Sequence, residues 1–167
     1  MQVVNFLQQQ HDWANTAVII AYDDSDGWYD HQLGAILNQS SSSADELLGS
    51  GNCGDGTTAL AGPDGEHVQG RCGHGPRLPL MVISPYARKN YVDHTLTDQS
   101  SVIHFIEDNW LGGERIGQGS FDALSGSING MFDFNSFPQI QPYILDQSTG
   151  EPVNGGFGGF GFGFGPF

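Results

Sequence analysis

Four carboxylates and an imidazole crowd into one short stretch: Asp23, Asp24, Asp26, Asp30 and His31, in the run Tyr22-Asp23-Asp24-Ser25-Asp26-Gly27-Trp28-Tyr29-Asp30-His31. Adjacent aspartates repel each other. The crowding is relieved when a cation sits between them, or when one carboxyl keeps its proton. Oxygen ligands of this kind suit hard cations such as Ca²⁺ and Mg²⁺, and a nearby imidazole admits Zn²⁺ or Fe. The competing reading is an acidic turn in which Asp24 or Asp26 bonds to neighbouring backbone. An EF-hand does not fit, because aligning Asp24 and Asp26 with its first and third positions puts Trp28 at the fifth, a ligand position. Outside this run, Arg77 stands isolated between Pro76 and Leu78, where it can pair with a carboxylate or face a phosphate. His94 lies in a loop sequence and His104 in a helical one. Ser84, just before Pro85, lacks the Gly-x-Ser-x-Gly elbow of a nucleophile.

These residues need elements to position them. Thr16–Tyr22 is a continuous apolar, β-rich run of the kind buried on both faces in a parallel sheet, and it stops abruptly at the acidic turn. Leu78–Ser84 reads as a second buried strand, stopped by Pro85. Val3, Val4, Phe6 and Leu7 recur with helical spacing, so residues 2–10 are expected to form a short helix. Ser100 or Ser101 caps a helix running to about Trp110, with Val102, Phe105, Ile106 and Trp110 on one face and Gly112-Gly113 at its end. Phe121, Leu124, Ile128 and Met131 fall in step for a further short helix or turn within Phe121–Phe134. Strands alternating with helices predict an α/β fold with a parallel sheet flanked by helices. Ligands of such sheets bind at the carboxyl ends of strands, which points to the turn after Tyr22.

The remainder is loop-rich. Residues 38–76 are dense in Ser, Gly, Asp and Pro, with a helical turn expected at Ala44–Leu48, and excursions of that length are commonly functional. Cys53 and Cys72 sit at opposite ends of this loop in similar settings, Asn-Cys-Gly and Arg-Cys-Gly. A disulfide closing the loop would contribute about 3 kcal/mol and imply an oxidising compartment. Two buried free thiols are the alternative, and zinc is disfavoured because neither cysteine has a CxxC partner. Residues 151–167 are expected to form a disordered tail, Gly-Phe low complexity from Gly155 onward. Five Lys and Arg against nineteen Asp and Glu leave a formal charge of −14. Such a chain repels nucleic acid and anionic membranes. No run approaches the roughly 20 apolar residues that span a bilayer, and no secretory signal opens the sequence.

Three long runs carry a family resemblance: Trp13–His31, Gly70–Tyr86, and Val92–His94 followed by Ser100–Trp110. In this order they resemble the bacterial phosphoesterase family of phospholipases C and acid phosphatases, and the likeness covers residues 1–150. That family is similar in fold to alkaline phosphatases and arylsulfatases. The resemblance therefore implies part of an alkaline phosphatase-like parallel sheet, with long Gly- and Ser-rich loops. It also implies metal-assisted hydrolysis of phosphoric esters, with a Ser or Thr nucleophile and a secreted or periplasmic parent protein. Asp23 and Asp24 match the carboxylate pair that binds the active-site metal in the acid phosphatase branch, the ion being Ca, Mg, Mn or Zn. His31 matches the family's Tyr-Asp-His and is the candidate catalytic group. Arg77 is the candidate substrate-binding residue. Cys53 and Cys72 match a recurring pair, which supports the disulfide.

The sequence also departs from the family. The family's Glu-Asn pair, its nucleophile and further histidines precede the matched region, and nothing here corresponds to them. The expectation is a C-terminal fragment whose sheet has lost strands, leaving exposed edges. Such a chain hydrolyses phosphate esters poorly alone and would need a separate N-terminal half. The alternative is a non-catalytic metal-binding or interaction remnant.

Overall fold

The computed structural model describes residues 1–28, 30–32, 34–35, 73–117 and 120–153. The two cysteines, the helical turn expected at Ala44–Leu48 and the Gly-Phe tail lie outside the described residues.

The described elements run α1 (Gln2–Leu7), a 3₁₀ helix at His11–Asn15, β1 (Val18–Ala21), β2 (Leu80–Ile83), α2 (Ser101–Trp110), and 3₁₀ turns at Phe121–Ala123 and Asn129–Met131. β1 pairs with β2 in a two-stranded sheet. The mixture of helix and strand is that of a small α/β chain. Both strands fall inside the runs that predict them, but neither is fully buried: Ala21 and Met81 are exposed, and the other strand residues are half-buried. Among the described residues each strand has one partner, so each keeps an open edge. That explains why apolar runs suited to a sheet interior stay partly wet.

The chain divides into two compact units. In the unit formed by Met1–Ile19, Val82–Ala87 and Asp133–Phe167, the helix at the start of the chain turns a different face inward from the one its apolar spacing predicts. Val3 and Phe6 are exposed, while Asn5 and Gln8 are buried. The cause is backbone satisfaction. Asn5 Nδ2 donates to Leu145 O (2.6 Å) and Asn5 Oδ1 accepts from Leu145 N (3.2 Å). Gln8 repeats the bracket on Tyr143, at 3.2 and 2.8 Å. Residues one helical turn apart thus serve alternate residues of an extended segment, whose buried N–H and C=O groups need partners. That segment continues into an antiparallel bridge between Leu145 and Pro152, closed by a turn in which Asp146 accepts from the Ser148 and Thr149 amides.

In the other unit, Ile20–Met81 with Arg88–Phe132, the core is Phe105 stacked on Phe132 (5.2 Å between centroids, 15°), with Ile128 fully buried. Trp110 meets Phe105 edge-on yet stays 69% exposed, and Ile106 is exposed too. The buried face of α2 is therefore Ser101 and Phe105 with Glu107, in place of the fully apolar face expected. Of the two serines expected to cap α2, Ser101 takes part in the cap and Ser100 does not. Ser100 is backbone-helical and its side chain caps nothing. Asp98 takes that role: its Oδ1 accepts from Ser100 N (2.8 Å), and Ser101 Oγ reaches back to Asp98 N (3.1 Å). This reciprocal box satisfies two amides that open a helix. Gly112 and Gly113, both at positive φ, end the helix as expected, with Gly113 N donating to Glu107 O.

Candidate functional site

The acidic run is organised by its own backbone. Asp24 Oδ1 accepts from Asp26 N (2.6 Å), the Asx-type bond of the turn reading. Trp28 N donates to Ser25 O (2.9 Å), and Asp26 and Gly27 both have positive φ, +50° and +83°. Two left-handed residues inside a four-residue turn define type I′, for which Asp-Gly is a strong local signal. Any side chain at Gly27 would meet open space, so it is the backbone angle that requires glycine there.

The turn is anchored twice. Gln99 Nε2 donates to the carbonyls of Tyr22 (2.7 Å) and Asp23 (2.8 Å), fixing the strand end. Asp30 is held by Arg77 in a bidentate pair, Nε to Oδ2 at 2.7 Å and Nη2 to Oδ1 at 2.6 Å. The backbone amides of Arg77 and Gln32 donate to the same carboxylate at 3.0 Å each. The Arg77 guanidinium, followed by these amides, holds the Asp30 carboxyl far below the usual carboxylate range, and Asp30 in turn raises Arg77. Arg77 is thus engaged by a carboxylate, the pairing alternative of the sequence reading.

Together these segments line an open cleft of about 620 Å³. Asp24, Asp26, Asp30, His31 and Arg77 line it, with Tyr22 and the 81%-exposed Trp28 as aromatic walls. Asp23 is not among the lining residues. Among the described lining residues three carboxylates face one guanidinium, a balance that favours cations over free anions. Among the described residues, no three His, Cys, Asp or Glu side chains converge as a metal cage. With Asp24 Oδ1 also committed to the turn, these residues do not by themselves fit a tightly bound divalent ion.

The other candidates are placed elsewhere. His94 is exposed and does not line the cleft. Ser84 Oγ donates to Thr16 O (3.0 Å) and accepts from Tyr86 N, a structural role. His104 Nε2 lies 2.7 Å from Arg115 Nη2 and 3.2 Å from Asp108 Oδ2. Arg115 can only donate, so the closer contact makes this nitrogen an acceptor. Two residues carry more than their sequence signals indicate. Gln99 has no motif to betray it. His74 donates from Nδ1 to Asp98 Oδ2 (2.6 Å), both side chains being about nine-tenths buried, and packs edge-on to Phe121. Asp98 thus caps α2 and orients an imidazole at once.

With this geometry in view, the wider likeness is specific. The family model described as "Phosphoesterase family" matches residues 1–111. The chain belongs to the phosphoesterase family. It is 29% identical to the "Non-hemolytic phospholipase C" of Burkholderia pseudomallei over 160 residues, covering 90% of this chain and 21% of that protein. It is likewise 29% identical to the "Non-hemolytic phospholipase C" of Pseudomonas aeruginosa, covering 84% of this chain and 20% of the relative. The "Hemolytic phospholipase C" of Pseudomonas aeruginosa is 30% identical, over 77% of this chain and 16% of the relative. The chain therefore spans about a fifth of the length of these relatives.

Proposed function

We propose that the chain supplies the acidic strand-end turn of a phosphoric ester hydrolase, of phospholipase C or acid phosphatase type, and that turnover requires polypeptide beyond these residues. The observation that carries this reading is the cleft. It gathers Asp24, Asp26, Asp30 and His31 from one segment with Arg77 from another, in a chain whose family acts on phosphoric esters. In this reading Asp23 and Asp24 contribute to a divalent-cation site that other ligands complete. His31 stands beside the ester as the candidate acid or base. Arg77 braces Asp30 and thereby the cleft wall; its role toward substrate is indirect. A secreted parent, an alkaline phosphatase-like arrangement of the remaining sheet, and a Cys53–Cys72 bridge belong to the same proposal.

Among the described residues no three His, Cys, Asp or Glu side chains converge, which favours a second reading, in which the chain is a non-catalytic module of the same lineage. The test is hydrolysis of p-nitrophenyl phosphate and p-nitrophenyl phosphorylcholine by the purified chain at pH 5–8, with Mg²⁺, Ca²⁺, Mn²⁺ or Zn²⁺. Asp23→Ala/Asp24→Ala is the control. The chain alone is expected to match its control, and the preceding segment of a relative, added as a second polypeptide, is expected to restore turnover that the control lacks. Robust turnover by the chain alone, lost in the control, would show that the site is complete. No restoration by any preceding segment would favour the non-catalytic module.

A further inference from the structure

One exposed segment runs against the charge of the chain. Of the five Lys and Arg in a chain of formal charge −14, Arg77 and Arg115 are paired with Asp30 and Asp108. Arg71 lies outside the described residues. Arg88 and Lys89 are adjacent and exposed, and they open a segment, 88–96, in which Tyr91, Val92, His94 and Leu96 are exposed as well. Val92 is 71% and Leu96 65% exposed. The segment is anchored by its backbone. Arg88 N donates to Met131 O (2.9 Å), and Leu96 O accepts from Gly126 N (3.1 Å). Asn90 turns the chain between them at φ +49°, an angle asparagine tolerates. Arg88 Nε donates to Phe132 O (3.1 Å), and its guanidinium lies 5.1 Å from the centre of the Tyr91 ring. Both partners are neutral, so they orient the cation without cancelling its charge. Asp93, the acid of the segment, is half-buried and turned to the body. Its Oδ1 accepts the Thr95 amide (2.7 Å), and its Oδ2 lies so close to Gly130 that an added Cβ would come within 2.5 Å. None of the exposed residues of the segment is acidic. Other exposed aromatic groups keep acidic company: Trp28 shares the cleft with Asp24 and Asp26, and Trp110 follows Glu107-Asp108-Asn109.

We propose that the segment 88–96 anchors the chain on a zwitterionic phospholipid surface, with Tyr91, Val92 and Leu96 entering the headgroup boundary and Arg88 and Lys89 meeting lipid phosphates. The residue types match the depths of that boundary. Aliphatic side chains gain by leaving water, a tyrosine keeps its hydroxyl wet, and long cationic side chains reach from an apolar stem to a phosphate. The inference rests on the phosphoric ester reading above, which makes the surface presenting such an ester the partner. It also commits to one kind of surface. A chain of formal charge −14 is repelled by an anionic bilayer, whereas a phosphatidylcholine surface carries no net charge and still offers phosphates to two cations.

The test is flotation of the full chain with phosphatidylcholine vesicles, compared with Val92→Glu/Leu96→Glu and with Lys89→Glu. The wild type is expected to float with the vesicles and the double variant to bind about tenfold more weakly. Lys89→Glu is expected to show a smaller loss. Both changes fall on exposed positions, so melting temperatures should match the wild type. Should the double variant fold poorly, Lys89→Glu decides, and binding equal to the wild type overturns the anchor. Binding that survives in a folded double variant also overturns it, because another part of the chain then holds the lipid. Absence of vesicle binding by the wild type overturns it too and leaves the patch to a protein partner. Asp23→Ala/Asp24→Ala is expected to float as the wild type does. Hydrolysis of a soluble ester is read separately, so failure of the phosphoric ester reading and failure of the anchor are told apart.

Discussion

Asp30 and Arg77 illustrate how one pair converts two motif candidates into a scaffold. The carboxylate receives two guanidinium N–H groups and two amides, so nearly every lone pair is engaged. A carboxyl depressed on folding contributes stability above its unfolded value, near 3.8, and loses it as pH falls toward the folded value. Asp30→Asn is therefore expected to lower the melting temperature at pH 7 and to flatten the acid limb of stability below about pH 4. Thermal melts of both proteins between pH 2 and 7 check this. Gly27 is the other residue with a single physical requirement. Gly27→Val forces a branched side chain to φ +83°, at a cost of about 2 kcal/mol. Gly27→Asn is expected to be tolerated far better. Urea unfolding of the two variants measures the difference.

At the scale of elements, the start of α2 is the joint on which most depends. Asp98 caps the helix and holds His74, and Gln99 next to it grips the end of the strand that carries the acidic turn. Asp98→Ala should cost about 2 kcal/mol, since it removes a cap and leaves a largely buried imidazole donor unpaired. Denaturant titration reads that loss. Gln99→Ala is expected to leave global stability within about 0.5 kcal/mol, because the residue is exposed. Faster hydrogen exchange at Asp26 and Trp28 would mark the loosened turn. The side-chain amides of Asn5, in α1, and of Gln8, just past its end, bond the backbone of the extended Tyr143–Leu145 segment as a strand would, a role that apolar periodicity cannot forecast.

For the whole molecule, two features set solution behaviour. The formal charge of −14 means that like charges repel in the compact state. Raising NaCl from 20 to 200 mM is expected to increase the melting temperature by screening that repulsion. A fall or no change would mean that specific ion pairs such as Asp30–Arg77 outweigh it. The second feature is apolar surface left uncovered, Phe6, Trp28, Trp110 and Phe137 among it.

The sequence alone determined what depends on local chemistry. Asp26-Gly27 dictates a tight turn because only left-handed residues close it, and Gly112-Gly113 ends α2 for the same reason. The two apolar runs dictate strands, and the three matched runs identify the family before any coordinates. Tertiary structure decided what depends on partners distant along the chain. Arg77 meets Asp30 across forty-seven positions. Asp98 accepts the Ser100 amide at the start of α2 and meets His74 across twenty-four positions. Asn5 and Gln8, with Glu107 and Asp122, turned polar atoms inward where periodicity expects apolar ones. A buried polar group is stable only when a specific donor or acceptor reaches it. Spacing along a sequence records which residues could lie on one face, but not which distant groups will be waiting there.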